Sequence, residues 1–218
     1  MKTKQERSEI FKSFQTNIKR KDSFELGKEK LMELRGELMS IYDYIFATCS
    51  NEDFVKMPLA KDKTIAYYIY HLTRIEDITS NTLIAGKEQI FFRNNYDKLL
   101  KSPIITTGNE IPRDKLVQFS EMLDINQLKN YTTDVLNNTN NIIKNMSYED
   151  SKTKVAQERK TELLKLNTVS EDENAFWLVD YWCNKTFAGL LLMPFSRHQM
   201  LHLDGCLRIT KKIKKSIS

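Results

Sequence analysis

The sequence has few of the residues that interrupt regular structure. Its 218 residues include only six glycines and four prolines. An all-β domain needs many turns, which these residues supply, so their scarcity argues against many short strands and favours long helices. Apolar residues make up 40% of the chain and charged residues 29%, the usual balance of a globular domain. The length suits a single domain, residues 1–218, with a sizeable buried core.

Cysteines and long apolar segments are also scarce. The three cysteines, Cys49, Cys183 and Cys206, form no C-x-x-C pair, which favours a reducing cytoplasm over a disulfide framework. The N-terminus is charged from its second residue and has no apolar signal core. The longest strongly apolar stretch, near 186–195, is far shorter than the roughly 20 residues of a membrane span. We therefore expect a cytoplasmic protein without membrane association.

The net charge of +5 is concentrated at the two ends of the chain, residues 1–21 and 213–218. Basic ends of this kind can contact nucleic acid or anionic lipid. However, no aromatic-studded basic motif of a known nucleic-acid-binding module accompanies them. We interpret both ends as solvated, fraying termini, and we expect no nucleic-acid partner.

Apolar residues that recur at steps of three and four predict long helices. These helices are predicted at residues 24–49, 62–85, 125–146 and from about 171 to 212. Within the last of them, Pro194 either kinks the helix or begins a new one. The irregular segment 87–122 predicts a long crossover, and the polar segment 148–167 predicts a surface helix. The predicted fold is therefore all-α: an antiparallel four-helix bundle with a long crossover between helices two and three and extra short helices.

The chain has only three histidines, and two of them lie in "FSRHQMLHLDG". His198 and His202 are four residues apart, so they share one helical face and can reach the same ion. That face also carries apolar residues, which directs the pair into the bundle. His71, in the middle of the second predicted helix, likewise shares its face with apolar residues. If the two helices touch at this level, three imidazoles converge and leave an open coordination position, as in catalytic metal sites.

Two interpretations of the histidines remain open from their spacing. They are either ligands of one divalent ion or core residues that are satisfied by hydrogen bonds. Imidazole nitrogen suits several ions, of which we expect zinc or nickel first and then iron or manganese. Cys206 follows His202 by four residues and therefore shares a helical face with both histidines. Three successive turns span about 12 Å, however, so we interpret this cysteine as core filling rather than a ligand.

Two carboxylates are candidates for supporting a bound metal or acting as a base. Glu76 follows His71 by five residues and faces partly away from it, so a surface salt bridge with Arg74 is the alternative. Asp180 lies in the apolar run "AFWLVDYWC", where a buried acid would need a partner. Candidate partners of Asp180 are a metal ligand, Arg197 and Arg208. Four aromatic residues could line a substrate pocket, although their spacing favours core packing: Tyr67, Tyr68, Trp177 and Trp182.

Two short motifs resemble signatures of one superfamily. The segment "MPFSRHQMLHLDGCLRI" is similar to the last-helix signature of the DinB/YfiT-like superfamily, and "HLTRIED" is similar to its second-helix signature. The resemblance extends in pattern over residues 24–212 but is specific only in these motifs. It implies a four-helix bundle in which His71, His198 and His202 hold a metal ion. The insertion at 87–122 and the polar stretch after Met146 are not typical of the usual pattern.

The resemblance also implies a type of chemistry. Members of the superfamily include transferases that activate a low-molecular-weight thiol such as bacillithiol, and a thiol-dependent isomerase. It therefore implies a metal-dependent enzyme that activates a thiol or a water, for thiol S-transfer or hydrolysis of a small molecule. The alternative is a stress-related helical protein that binds a metal or ligand without catalysis. A homodimer is the expected assembly, since dimers are the commonest.

Overall fold

The computed structural model describes residues 1–216, and almost all of its regular structure is helical. In chain order the helices are α1 (Lys4–Asn17), α2 (Phe24–Thr48), α3 (Asn51–Val55), α4 (Ile65–Asp77), α5 (Ile90–Arg93), α6 (Tyr96–Leu99), α7 (Leu116–Met122), α8 (Ile125–Asn145), α9 (Tyr148–Lys152), α10 (Gln157–Lys165), α11 (Glu173–Cys183), α12 (Phe187–Leu191) and α13 (His198–Lys215). Within residues 1–216 there is no β-strand, only an isolated bridge between Lys154 and Thr186. The all-α prediction is confirmed.

The four long helices α2, α4, α8 and α13 contact one another in a closed ring, in which α2 and α4 each touch both α8 and α13. The predicted bounds of α2 and α8 agree with the structure to within one residue. Helix α4 begins at Ile65 rather than at residue 62, because the Thr64 hydroxyl caps it by accepting from the Tyr67 amide. A π-helical turn, Ile78–Ala85, extends α4 to Gly86. Among residues 1–216, no helix combines the length and apolar character needed to cross a membrane.

The N-terminal segment differs from the expected fraying end. Residues Lys4–Asn17 form α1, which packs along α2, and Phe14 and Ile18 are fully buried. The Arg7 guanidinium also pairs with Asp204 of α13 at 2.6 Å. Lys4 and Lys12 lie on the exposed face of this helix, whereas Arg7 is buried against α13. At the other end, α13 continues to Lys215, and the last two residues of the predicted fraying end lie outside the described range.

The fourth predicted helix is not continuous. Helix α11 ends at Cys183, and α12 restarts at Phe187, capped by the hydroxyl of Thr186. Backbone hydrogen bonds Val155 N to Lys185 O and Phe187 N to Thr153 O hold this break against the segment after α9. Pro194 then lies in a π-helical turn, Met193–Arg197, and α13 begins immediately after it. The new-helix alternative at Pro194 is therefore the correct one.

A buried ion pair between Arg35 of α2 and Glu76 of α4 lies where the long helices meet. The Nη2–Oε1 distance is 2.6 Å, and neither side chain is more than 1% exposed. Gln199 of α13 donates to Glu76 at 2.9 Å and accepts from the Tyr42 hydroxyl at 2.6 Å. Arg35 also donates to Asn140 Oδ1 and to the carbonyl oxygens of Leu136 and Phe195. This network joins all four helices through hydrogen bonds that satisfy both buried charges.

The two acidic site candidates therefore lie in unexpected surroundings. The surface salt bridge between Glu76 and Arg74 is wrong, since Glu76 is fully buried and pairs with Arg35. Asp180 is not a buried acid, because its side chain is 70% exposed and pairs with Lys160 at 2.7 Å. Helix α11 buries only one face, and Asp180 lies on the other. Neither carboxylate hydrogen bonds a histidine.

We expect the Glu76→Ala substitution to lower the free energy of unfolding by about 3–5 kcal/mol, because it leaves Arg35 buried without a partner. The matched control is Asp180→Ala, which removes an exposed ion pair and should cost less than about 1 kcal/mol. Chemical denaturation of both variants, followed by circular dichroism, measures the difference. Equal losses in the two variants would show that the Arg35–Glu76 pair does not stabilise the helical ring.

Candidate metal centre

The three histidines meet at one point between α4 and α13. The Nε2 atom of His198 lies 3.2 Å from His71 Nε2 and 3.1 Å from His202 Nε2. All three candidate ligand atoms lie within 4.8 Å of one another. The structure thus brings together the residues that the sequence selected, and the three nitrogens could hold a metal ion.

Two of the three nitrogen–nitrogen separations suit a tetrahedral ion. Two nitrogen ligands with bonds of roughly 2.0–2.1 Å to zinc lie about 3.3 Å apart at tetrahedral angles. The two short distances at His198, 3.2 and 3.1 Å, are close to this value. Three imidazoles supply three of the four tetrahedral ligands, which leaves one position for a water or a substrate atom.

His71 is oriented by a hydrogen bond on its other ring nitrogen. Its Nδ1 lies 2.9 Å from the carbonyl oxygen of Thr107, which can only accept, so Nδ1 carries the proton. The Nε2 atom of His71 therefore presents a lone pair to the other two rings. A backbone carbonyl in this position is a usual partner of a metal-ligating histidine.

The crossover segment that supplies this carbonyl is held by one face of α4. Tyr67, Tyr70, His71 and Arg74 lie at helical spacing and together contact five consecutive carbonyl oxygens, those of residues 104–108. Their acceptors are Gly108 for Tyr67, Ile104 and Thr106 for Tyr70, Thr107 for His71 and Ile105 for Arg74. The segment is thus bound along its backbone, and its position sets the orientation of the His71 ring.

The histidines of α13 occupy its first two turns, directly after the π-helical turn that contains Pro194. The His202 ring packs against Tyr68, with 5.0 Å between the ring centroids. The Nδ1 atom of His198 is buried and has no hydrogen-bond partner within residues 1–216. His198 is therefore positioned by its neighbours and its helix rather than by a partner on its second nitrogen.

Burial lowers the pKa of all three imidazoles. The pKa of His71 falls to about 3, mainly through burial and secondly through the charge of His202. The pKa of His202 falls to about 4 through burial and the nearby charge of Lys63. The pKa of His198 also lies well below its ordinary value, through burial and then through the other two rings. All three rings are therefore neutral at pH 7, which is the form that binds metal ions.

A cavity of about 360 Å³ opens next to the histidines. Its wall is mostly apolar and includes both tryptophans of the chain, Trp177 and Trp182. Tyr67, Tyr68 and Trp182 are all buried core residues, and Trp182 also borders the cavity, whereas Trp177 is 52% exposed. A cavity of this size beside three convergent nitrogens can accommodate a small molecule at the open coordination position.

Cys206 lies outside the group of convergent ligand atoms. Its thiol is fully buried in the main apolar core, and burial raises its pKa well above the ordinary range. The interpretation of Cys206 as core filling is consistent with this position.

Sequence reasoning missed two polar residues of the cavity wall, Lys63 and Asn109. Neither belongs to a recognisable motif, because each reaches the cavity from a connection before or after α4.

Comparison with known proteins adds no assignment to this site. No model of a known protein family matches the chain, and no curated protein is significantly similar to it in sequence. The resemblance to the DinB/YfiT-like superfamily therefore depends on the two motifs and stays a prediction.

We expect the metal-free protein to lose stability as the pH falls below about 6.5, the histidine pKa in an unfolded chain. The pKa of each folded-state histidine lies lower, so the unfolded chain takes up protons first. This stability is fully present above pH 6.5 and is lost as the pH falls towards the folded-state values of about 4 and about 3. The slope is at most about 4 kcal/mol per pH unit if all three rings contribute.

Chemical denaturation between about pH 7 and pH 5 measures this slope. The His202→Asn variant removes one of the three groups and should reduce the slope by about a third. A free energy of unfolding that stays constant or rises on acidification would contradict the assignment of three imidazoles that are neutral in the folded protein.

Proposed function

We propose that His71, His198 and His202 hold one divalent cation and that the protein is a metal-dependent enzyme acting on a small molecule. The observation that supports this proposal is the convergence of three Nε2 atoms, with separations of 3.2 and 3.1 Å, at the side of a cavity. The Nε2 atom of His198 carries at most one proton, so it can donate along only one of its two short contacts, and hydrogen bonds between the rings do not account for both. The neutral state of the rings favours the same interpretation.

The residues of the chain would divide the work at such a site. The carbonyl of Thr107 keeps the Nε2 lone pair of His71 directed at the cation. The α-helical spacing of His198 and His202 supplies the other two nitrogens from one face. The indole rings of Trp177 and Trp182 line the cavity beside the histidines and would contact an apolar part of a substrate. When bound, the cation supplies a Lewis acid that promotes ionisation of a water or a thiol.

We propose further that the ring of four long helices is the antiparallel bundle of a DinB-like protein. The two motifs lie on α4 and α13, which contact each other, and both carry the histidines that the resemblance selects. By this proposal the reaction is thiol S-transfer or hydrolysis of a small molecule, with zinc or nickel as the preferred ion. The geometry of three imidazoles does not favour one of these reactions over the other.

We expect protein purified without a nickel column or a histidine tag to contain about one equivalent of divalent metal. The substitutions His71→Asn and His202→Gln each remove a ligand and should lose most of it, whereas Cys206→Ala should retain it. Mass-spectrometric elemental analysis measures the content, and circular dichroism checks that each variant folds. Wild-type protein that holds no metal, and takes up neither zinc nor nickel on dialysis, would refute the proposed site.

We expect the metal-loaded protein to accelerate either transfer of a thiol to an electrophile or hydrolysis of an activated ester. Monochlorobimane with glutathione, cysteine or bacillithiol tests the first reaction, and 4-nitrophenyl acetate tests the second. The rate should disappear after chelation and in His202→Gln, and it should persist in Cys206→Ala. Stoichiometric metal without turnover in either assay would contradict an enzyme and favour a metal- or ligand-binding protein.

A further inference from the structure

Lys63 is a partly buried lysine without an acidic partner. It lies just before α4, where its Nζ atom donates to the Tyr67 hydroxyl at 2.9 Å and lies 4.2 Å from the centre of that ring. Asp62, its neighbour in sequence, is instead paired with Arg208 at 2.7 Å. Within residues 1–216, no carboxylate lies within ion-pair distance of Lys63. Buried charges are normally paired, so this ammonium lacks its usual counter-ion.

This ammonium lies at the cavity of the candidate metal centre. Lys63 lines the same cavity of about 360 Å³ as the three histidines. The ring of Tyr67, which Lys63 contacts, stacks on the ring of His71 with 5.6 Å between centroids and 11° between planes. The charge of Lys63 also contributes to the lowered pKa of both His71 and His202. An ammonium beside a divalent-cation site is unfavourable unless an anion lies between them.

The rest of the cavity wall determines what kind of anion fits. Apart from the histidines, the only other polar groups that residues 1–216 place in this wall are the hydroxyl of Tyr181 and the neutral amide of Asn109, and no lining side chain is acidic. The apolar and aromatic side chains include Ile75, Trp177, Leu178, Trp182 and Met193. A complementary ligand therefore has an apolar body and a single anionic group. The ammonium has three donors, of which Tyr67 takes one, so two remain for a ligand.

We infer that Lys63 binds the carboxylate of the substrate, so that this site selects small organic acids with an apolar or aromatic body over neutral molecules of the same shape. The inference builds on the proposed function, since it names the substrate class of the same site. A thiol substrate is included when it carries a carboxylate, as a mercapto acid does. Lys63 acts here as a specificity-determining residue, because it contacts the ligand rather than the cation.

The test uses the tryptophans as reporters. The chain has two of them, and both line this cavity, so a change in intrinsic fluorescence on binding reports on it. Full-length protein, metal-free and metal-loaded, is titrated with phenylacetate and with its neutral counterpart phenylacetamide. We expect wild-type protein to bind phenylacetate at least about 10-fold more tightly, which corresponds to about 1.4 kcal/mol.

Three variants show whether Lys63 is the source of this preference. Lys63→Met and Lys63→Gln should both lose it, and Lys63→Arg should keep it because the charge remains. Lys129→Met, which removes one exposed charge from α8, should bind both probes like the wild type. Circular dichroism checks the fold of each variant. Two neutral substitutions, Lys63→Met and Lys63→Gln, are used so that the test still works if one of them does not fold.

The metal-free titration separates this inference from the proposed function. If the protein holds no metal but metal-free protein prefers phenylacetate through Lys63, the proposed function fails and the anion site stands. Equal affinity of wild-type protein for the two probes would overturn the inference, as would an unchanged preference in Lys63→Met. It would also be overturned if neither probe changed the fluorescence at concentrations up to about 50 mM, a range that includes weak ligands.

Discussion

The Arg35–Glu76 ion pair is the constraint from which the arrangement of the long helices follows. Neither charge can be buried alone, so α2 and α4 must lie close enough for the guanidinium and the carboxylate to touch. The other donors of Arg35 then reach α8 and the π-helical turn before α13. Gln199 donates a further hydrogen bond to the carboxylate of Glu76. Gln199 directly follows His198 in the sequence. The network that joins the helices therefore also fixes where the histidine pair lies along the axis of the bundle. The convergence of the three histidines is one consequence of how the core satisfies two charges.

Helix α4 carries both Glu76 of the ion-pair network and His71 of the histidine site, on different faces. Four of its side chains hold the backbone of residues 104–108, and one of them is His71. The same hydrogen bond therefore fastens the crossover and leaves the Nε2 lone pair of His71 available. Lys63 and Asn109 reach the cavity from the connections on either side of this contact. The crossover is thus part of the site.

The predictions from sequence were right where the local pattern and the tertiary contacts agree. The apolar period located α2, α4 and α8, and the shared faces of the histidines turned out to be buried. The predictions were wrong where long-range contacts decide. The run that contains Asp180 is dense in apolar residues, yet α11 lies at the surface and buries one side only. Glu76 looked like a surface residue because its partner, Arg35, is distant in the chain.

The sequence by itself determined the helical class and the shared face of His198 and His202. Both properties depend on residues within a few positions of each other, and helical geometry converts such spacing directly into proximity. Only the tertiary structure decided that His71 meets this pair, that Thr107 orients it and that Lys63 faces the cavity without an acid. These relations join residues from separate segments, and one of them involves a backbone carbonyl, which every residue has. No local pattern carries that information, since it arises only when the helices pack.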